Sequence, residues 1–321
     1  MPKVVVTDYT FPSLDLEKAI LEPSGCEFIA AQCKTPAELI PLVADAEFVI
    51  TQFAPLNAAV IATMNQARVI ARYGIGVDNI DLEAARQRRI SVCNVPDYCI
   101  DEVADHTLAL ILATSRAVVP HWNQVKTGHW TLPVPLDAMW ALKDTTIGVV
   151  GFGRIGRAVV KRLLAFNCKL LVHDPFLSPD KIEATGCGSA SFDGLLGAAD
   201  LITLHVPSTA ETRQMINRET LKKVRAGVVL VNVSRGTLID TDALIDALQR
   251  GHVRAAALDV IDPEPIPPDH PLLRMNNVVI TPHAASVSVK AVRTLRESVA
   301  KTVLCAIRGE PLPNIVNGVT P

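Results

Sequence analysis

A glycine fingerprint set between a strand and a helix constrains this 321-residue chain more than any other feature. Residues 146–151 read Thr-Ile-Gly-Val-Val-Gly, and the fingerprint runs Gly151-Phe152-Gly153-Arg154-Ile155-Gly156. Ala158, Val159, Leu163 and Leu164 follow at helical spacing, and a second apolar run then closes at Asp174. Each part has a physical job in holding a dinucleotide. Gly151 permits a tight turn, Gly153 lets the backbone approach a pyrophosphate, and Gly156 lets the helix pack on the strand. The helix start at Arg154 and Ile155 offers N–H groups and a positive dipole end to phosphates. Asp174 stands about 20 residues further on, where a carboxylate accepts both ribose hydroxyls. It would repel a 2′-phosphate, and Pro175 to Ser178 bring no cation to replace it, so the expected cofactor is NAD. The competing assignment for Asp174 is a cap on the turn that begins at Pro175.

A chain of this length exceeds a single core, so two domains are expected. Although 49% of residues are apolar, no uninterrupted apolar run approaches the ~20 residues of a membrane span. The N-terminus runs from Met1-Pro2-Lys3 into Val4-Val5-Val6 without a signal-peptide pattern, so a cytoplasmic protein that engages no membrane is expected. The net charge of −2 and the lack of a basic run argue against a nucleic-acid surface. The seven cysteines are odd in number and without a CxxC pair, which argues against a disulfide framework and a metal site.

Short β-rich runs alternate with helical stretches over residues 1–99: 3–7, 48–51, 69–72 and 91–94. This is a parallel α/β pattern. Residues 101–116 carry Val103, Leu108, Leu110, Ile111 and Leu112 at helical spacing, a long helix leading into the next domain. Residues 120–143 hold all three tryptophans (Trp122, Trp130, Trp140) among several prolines. They predict an irregular arm that is buried, either against a second copy of the chain or within its own fold. Six strand-like runs follow, 146–150, 169–173, 201–205, 228–233, 255–260 and 278–282, and 286–309 is again helical. The expected fold is α/β: a Rossmann doubly wound NAD-binding domain (101–285) inserted into a flavodoxin-like parallel α/β substrate-binding domain (1–100), to which residues 286–321 return.

The later strand ends carry chemistry. Arg235 follows the run 229–233, Asp259 closes the next, Glu264 lies between two prolines just beyond, and His283 follows the last. In open parallel sheets ligands bind outside the carboxyl ends of the strands, so these sites should converge. Arginine presents a planar fork to a carboxylate, and histidine exchanges a proton near neutral pH. A glutamate on the second ring nitrogen would fix the tautomer and favour the imidazolium. A surface ion pair for Arg235 and a solvated loop acid for Glu264 are the competing assignments. His121, His129, His252 and His270 carry no such company.

The chain resembles the D-isomer-specific 2-hydroxyacid dehydrogenases (the phosphoglycerate dehydrogenase and C-terminal-binding-protein-like branch) over essentially its full length. The similarity rests on Arg72-Tyr73-Gly74-Ile75-Gly76-Val77-Asp78-Asn79-Ile80, Asn94-Val95-Pro96 and Glu102-Val103-Ala104-Asp105-His106. It continues through Gly151–Gly156, Leu204-His205-Val206-Pro207, Asn232–Gly236, Asp259, Glu264-Pro265 and Thr281-Pro282-His283. The resemblance implies that Arg235 binds the substrate carboxylate, that His283 is the acid/base with Glu264 as its partner, and that Asp259 lies near the nicotinamide amide. It assigns His205, Val206, Pro207, Val233 and the backbone of Arg154 and Ile155 to the cofactor cleft. His106 would touch the cofactor or only pack its helix. Gly74, Ile75 and Gly76 would meet the substrate, with Ile75 and Gly76 offering N–H groups to its carboxylate. Tyr73 stands where many relatives carry a small residue, implying a bulkier substrate wall, and Arg72 could approach an anionic tail. Ala284-Ala285-Ser286 lack an aromatic that some relatives place there. Glu264 departs from the amide of formate-type relatives. With no sequence beyond Pro321, a C-terminal regulatory domain is not expected. The implied activity is NAD-dependent interconversion of a small D-2-hydroxy acid and its 2-oxo acid by a homodimer joined through the 120–143 arm. An NAD(H)-sensing corepressor-like binding protein and a phosphite-type dehydrogenase share the same three residues and stay open.

Overall fold

Long runs of Val, Ile and Leu without polar alternation are the mark of strands covered on both faces, and both sheets of this protein are built from them. The computed structural model describes residues 1–136 and 139–320. Asp137 and Ala138 of the expected arm, and Pro321 of the C-terminal return, lie outside the described residues. The chain divides into two compact units, Met1–Tyr98 with Ser288–Pro321, and Cys99–Val287.

The first unit is a five-stranded parallel sheet of β1 (Lys3–Val6), β2 (Glu27–Ala30), β3 (Phe48–Thr51), β4 (Val69–Arg72) and β5 (Ser91–Cys93), in the order β2-β1-β3-β4-β5. That is the flavodoxin-like order. Strand β2 was not expected: it is a partly exposed edge strand of four residues, Glu-Phe-Ile-Ala, too short to show a period. Helices α1 (Asp15–Leu21), α2 (Pro36–Val43), α3 (Ala58–Thr63) and α4 (Leu82–Gln87) connect the strands. Helix α2 starts at a capping box, with Thr35 and Glu38 each satisfying the other's backbone N–H. Leu39, Val43, Val60, Ile61 and Ala85 bury one face of the sheet. The other face is covered by α1 and by the last helix of the chain, α12 (Val289–Arg308), through Leu21, Leu295, Val299 and Val303. At ~1.5–3 kcal/mol for each fully buried aliphatic side chain, this return is integral to the unit.

Tyr73 corrects an expectation. Its side chain is 2% exposed, stacks edge-on against Phe11 at 5.1 Å, and donates to Glu17 Oε1 at 3.1 Å. Burial and the Glu17 charge push its phenol far up. Glu17 is in turn gripped by Arg296 of α12, Nε to Oε1 at 2.8 Å and Nη2 to Oε2 at 2.6 Å. The tyrosine is a core strut beneath α1 and α12, not a substrate wall, because its polar tip finds a buried carboxylate that a solvent-lined pocket would not need.

The second unit is a seven-stranded parallel sheet: β6 (Thr146–Val150), β7 (Lys169–His173), β8 (Gly188–Ser189), β9 (Leu201–Leu204), β10 (Val228–Asn232), β11 (Val253–Leu258) and β12 (Val278–Ile280). The order β12-β11-β10-β9-β6-β7-β8 is doubly wound, with the reversal beside β6. The expected six strands are present. The seventh, β8, is a two-residue edge that sequence periodicity cannot register. Its helices are α5 (Ile100–Ser115), α6 (Val118–Lys126), α7 (Arg154–Leu163), α8 (Pro179–Glu183), α9 (Phe192–Ala198), α10 (Arg218–Leu221) and α11 (Thr241–Gln249).

Helix α6 corrects the expectation of an irregular arm from residue 120. Pro120 is its third residue, within the first turn where no backbone N–H has an intrahelical partner, so the proline costs little there. The expected burial of the tryptophans is met unevenly within the chain. Trp140 lies under the Arg254 guanidinium, 3.5 Å from its ring centre, whereas Trp122 is 59% and Trp130 89% exposed. Among the described residues, no helix is long and apolar enough to cross a membrane, and no cluster could hold a metal ion.

Candidate active site

The dinucleotide end is built at the reversal of the second sheet. Strand β6 runs into Gly151, whose φ of +94° only glycine adopts readily, and the Gly151 N–H donates to His173 O of β7 at 2.8 Å. Gly156, in the first turn of α7, packs directly on that turn: a Cβ there would lie 2.1 Å from Gly151 O. Gly153 has no atom within 4 Å of the equivalent position, so its backbone faces open space in front of the α7 N-terminus. Arg154 and Ile155 begin that helix with no side-chain cap on their N–H groups. This geometry suits a pyrophosphate.

Asp174 serves the loop as well as its own turn. Its Oδ2 accepts the Phe152 N–H at 2.8 Å and its Oδ1 accepts the Phe176 N–H at 2.9 Å. The turn-capping assignment is therefore present in the structure. Each oxygen keeps acceptor capacity for a further donor, so the cap does not displace the ribose role. On the neighbouring strand end, Val206 packs against Gly151, and Val233 is buried. The His205 ring contributes differently from the cleft contact expected of it. It is half-buried against the fingerprint turn, with Nε2 2.9 Å from Thr203 Oγ1 and Nδ1 buried without a partner among the described residues. Burial pushes its pKa down to about 3, so the ring is neutral near pH 7.

Three loops at the carboxyl ends of β10, β11 and β12 carry the other candidates. After β10, the buried Asn232 side chain donates to Arg235 O at 2.8 Å and accepts the Ser234 N–H at 3.0 Å, while Ser234 Oγ reaches Leu204 O of β9 at 2.8 Å. These bonds present Arg235, whose Nη1 donates to Ser234 O at 2.7 Å. Gly236 then crosses the loop after β11 so closely that a Cβ would lie 2.0 Å from the Ile261 carbonyl carbon. That approach draws the Arg235 and Glu264 loops together.

Glu264 Oε1 accepts the Ile261 N–H at 3.0 Å, and Oε2 lies 2.8 Å from His283 Nδ1. Burial pushes the Glu264 carboxyl up, but the His283 hydrogen bond and charge, the Ile261 N–H and the Arg235 charge outweigh it and hold the carboxyl below its usual range. His283 itself has a left-handed backbone, φ +53°, held by its N–H to Asp259 O at 2.8 Å. Asp259, only 1% exposed, accepts from Thr281 Oγ1 at 2.5 Å and from the Ala284 and Ala285 N–H groups, each at 2.9 Å. His106 of α5 reaches the same cluster, its Nε2 3.0 Å from Thr281 Oγ1. Besides the nicotinamide contact expected of it, Asp259 has a structural duty that the sequence did not suggest.

The remaining candidates lie in the first unit, at the ends of β3 and β4. Gly74 has φ +145°, and Val95 N donates to Gly74 O at 3.0 Å. Asn94 Nδ2 holds Ile75 O at 2.6 Å, and Ile75 and Gly76 are half-buried. Arg72 is largely buried, its Nε on Gln52 O at 3.1 Å and its guanidinium 5.9 Å from the Phe53 ring centre. Asp8, missed in the sequence, organises this strand end by accepting the Gln52 and Phe53 N–H groups at 2.9 and 2.6 Å. A single polar residue after a short strand gives no pattern by which Asp8 could be found, whereas Asn232, Ser234 and Thr281 stood inside the family-like segments without a role assigned to them.

A doubly wound sheet with a fingerprint turn at the end of β6, and an arginine near a histidine–glutamate pair at later strand ends, is the arrangement of a dinucleotide-binding domain. Residues 108–285 match the family model described as the D-isomer specific 2-hydroxyacid dehydrogenase, NAD binding domain. The chain belongs to the D-isomer-specific 2-hydroxyacid dehydrogenase family. It is 38% identical over 304 residues to the D-3-phosphoglycerate dehydrogenase of Archaeoglobus fulgidus, covering 94% of this chain and 57% of that protein. It is 37% identical over 306 residues to the glyoxylate reductase of Korarchaeum cryptofilum, covering 95% of this chain and 89% of that protein. The chain therefore spans little more than half the length of the phosphoglycerate dehydrogenase. The crystal structure of D-lactate dehydrogenase from Aquifex aeolicus, complexed with NAD and lactic acid, is similar with a TM-score of 0.86 and 30% identity over 96% of each chain.

Proposed function

We propose that this protein is an NAD-dependent oxidoreductase interconverting a small D-2-hydroxy acid and its 2-oxo acid. The observation that carries the reading is the 2.8 Å His283–Glu264 pair set near Arg235, at the same carboxyl edge of the sheet as the fingerprint turn. The nicotinamide, when bound, supplies or accepts hydride at the substrate's second carbon. Arg235 grips the substrate carboxylate with its planar fork. Glu264, charged across the working pH range, orients the His283 ring through Nδ1, and His283 then gives the carbonyl oxygen its proton from Nε2 in the reductive direction. The catalytic set is Arg235, Glu264 and His283. Gly74, Ile75 and Gly76 are proposed as further substrate-binding residues.

The cofactor preference follows from Asp174, whose carboxylate would repel a 2′-phosphate and accept ribose hydroxyls instead. All seven cysteines are free thiols, which suits a reducing, cytoplasmic compartment. We further propose a homodimer joined through the arm that follows α5, where Trp122 and Trp130 stand exposed.

NADH oxidation against glyoxylate, hydroxypyruvate, pyruvate, phenylpyruvate and 3-phosphohydroxypyruvate tests the reading. Turnover on at least one, lost in a folded His283→Ala variant, is expected. Tight NADH binding without turnover on any would transfer the assignment to an NAD(H)-sensing binding protein or to a dehydrogenase of an inorganic anion such as phosphite.

A further inference from the structure

We propose that His106 is a positioning residue for His283, acting through Thr281 and Asp259 rather than by touching the cofactor. The inference rests on the proposed acid/base role of His283 and names a device that holds it.

The argument begins with proton accounting. Thr281 has one hydroxyl proton, and the 2.5 Å contact to Asp259 Oδ1 consumes it, because a carboxylate there can only accept. Thr281 Oγ1 is then the acceptor in its 3.0 Å contact with His106 Nε2, so His106 donates. Nε2 also lies 3.5 Å from Asp259 Oδ1. The donors run one way, from His106 to Thr281 to Asp259, and the carboxylate collects two more from the Ala284 and Ala285 N–H groups. Those two residues directly follow His283, whose own N–H goes to Asp259 O. Four groups of the 281–285 turn are thereby fastened to one buried residue. The turn holds His283 in a left-handed conformation that a residue with a Cβ adopts only when its surroundings impose it.

His106 brings the rigidity of a 16-residue helix to this turn. Helix α5 buries Val103, Ala104, Thr107, Leu110 and Ile111. It is also clamped to the fingerprint helix α7, since Arg162 Nε meets Asp105 Oδ1 at 2.6 Å and Nη2 meets Asp101 Oδ1 at 2.8 Å. Without His106, Thr281 and Asp259 would keep their own bond but lose their tie to α5. An acid/base displaced by even about 1 Å can lose a hundredfold in rate, so a tie of this kind matters to catalysis.

The test compares wild type, His106→Leu and His106→Gln; Gln carries an N–H at nearly the reach of Nε2. Amide hydrogen exchange at residues 283–285 is measured together with kcat and the Kd for NADH. In His106→Leu, exchange protection at these three amides should fall by roughly tenfold or more while the rest of the sheet stays protected. In the same variant kcat should fall about tenfold or more, with the NADH Kd within about twofold of wild type. His106→Gln should restore both protection and kcat. Unchanged protection at 283–285 in His106→Leu overturns the proposal, as does a loss of NADH affinity matching the loss of kcat, which would make His106 a cofactor contact. The exchange measurement needs no turnover, so it judges the tie even if the 2-oxo-acid panel fails and the acid/base reading falls with it.

Discussion

Two buried or half-buried side chains separate catalysis from folding at the scale of single residues. Glu264→Gln keeps an oxygen for the Ile261 N–H but turns an N–H toward His283 Nδ1, removing the charge that favours the imidazolium. We expect kcat in the reductive direction to fall about tenfold or more, with the NADH Kd nearly unchanged. The loss should appear at every pH at which wild-type Glu264 is ionised, because its carboxyl is held below the usual range. Stopped-flow rates from pH 5 to 9 measure both. His205 tells the opposite story. Its folded pKa of about 3 lies below its unfolded value near ~6.5. The stability it contributes is therefore complete above the unfolded pKa and is lost as pH falls toward the folded one. The slope is at most about 1.4 kcal/mol per pH unit for one such group. Urea midpoints at pH 7.5 and 5.0 should differ in wild type, and the gap should narrow in His205→Gln. An unchanged gap would remove His205 from the account of acid sensitivity. The sequence suggested Glu264 as the partner of His283, with a solvated loop acid as the competing assignment, but it read His205 only as one more cleft residue.

At the scale of elements, the fingerprint turn makes two glycines three residues apart answer to different demands. Gly156→Ala puts a methyl group 2.1 Å from Gly151 O, so the turn or α7 must shift, at a cost of about 1–3 kcal/mol. Gly153→Ala meets no protein atom within 4 Å and should cost under about 1 kcal/mol. Its methyl group would instead occupy the space offered to the pyrophosphate. Calorimetry and NADH titration distinguish them: Gly153→Ala should keep its Tm and lose affinity, while Gly156→Ala should lose both. Equal effects on Tm would mean that the turn is not packed as described. The turn was legible because strand, glycines, helix and acid stand at fixed distances along the chain. Edge strands such as Glu27–Ala30 and Gly188–Ser189 were not, since two to four residues with one solvated face carry no period. Helix α6 was hidden by Pro120, which punctuates a sequence but fits a helix's first turn.

For the whole molecule, the strongest demand on assembly comes from the segment after α5. Val118, Trp122, Val125, Trp130, Leu132 and Leu136 are all exposed within 19 residues, counted from 118 to 136 inclusive. A single chain rarely leaves so much apolar surface to water, and tryptophan is enriched where a partner covers it. The sequence offered two covers for this region, a second copy or the chain's own fold; Trp122 and Trp130 are exposed within the chain, which supports the proposed homodimer. A closed twofold pair would bring the same patch from each chain to one isologous interface. Wild type should sediment as a dimer at micromolar concentration, with the fluorescence of its tryptophans blue-shifted relative to a monomer. Trp130→Glu, an exposed change that disturbs no described contact within the chain, should yield a folded monomer with unchanged circular dichroism. Persistence of the dimer in Trp130→Glu and Leu136→Glu together would move the interface elsewhere, and a monomeric wild type would leave this patch awaiting a different partner.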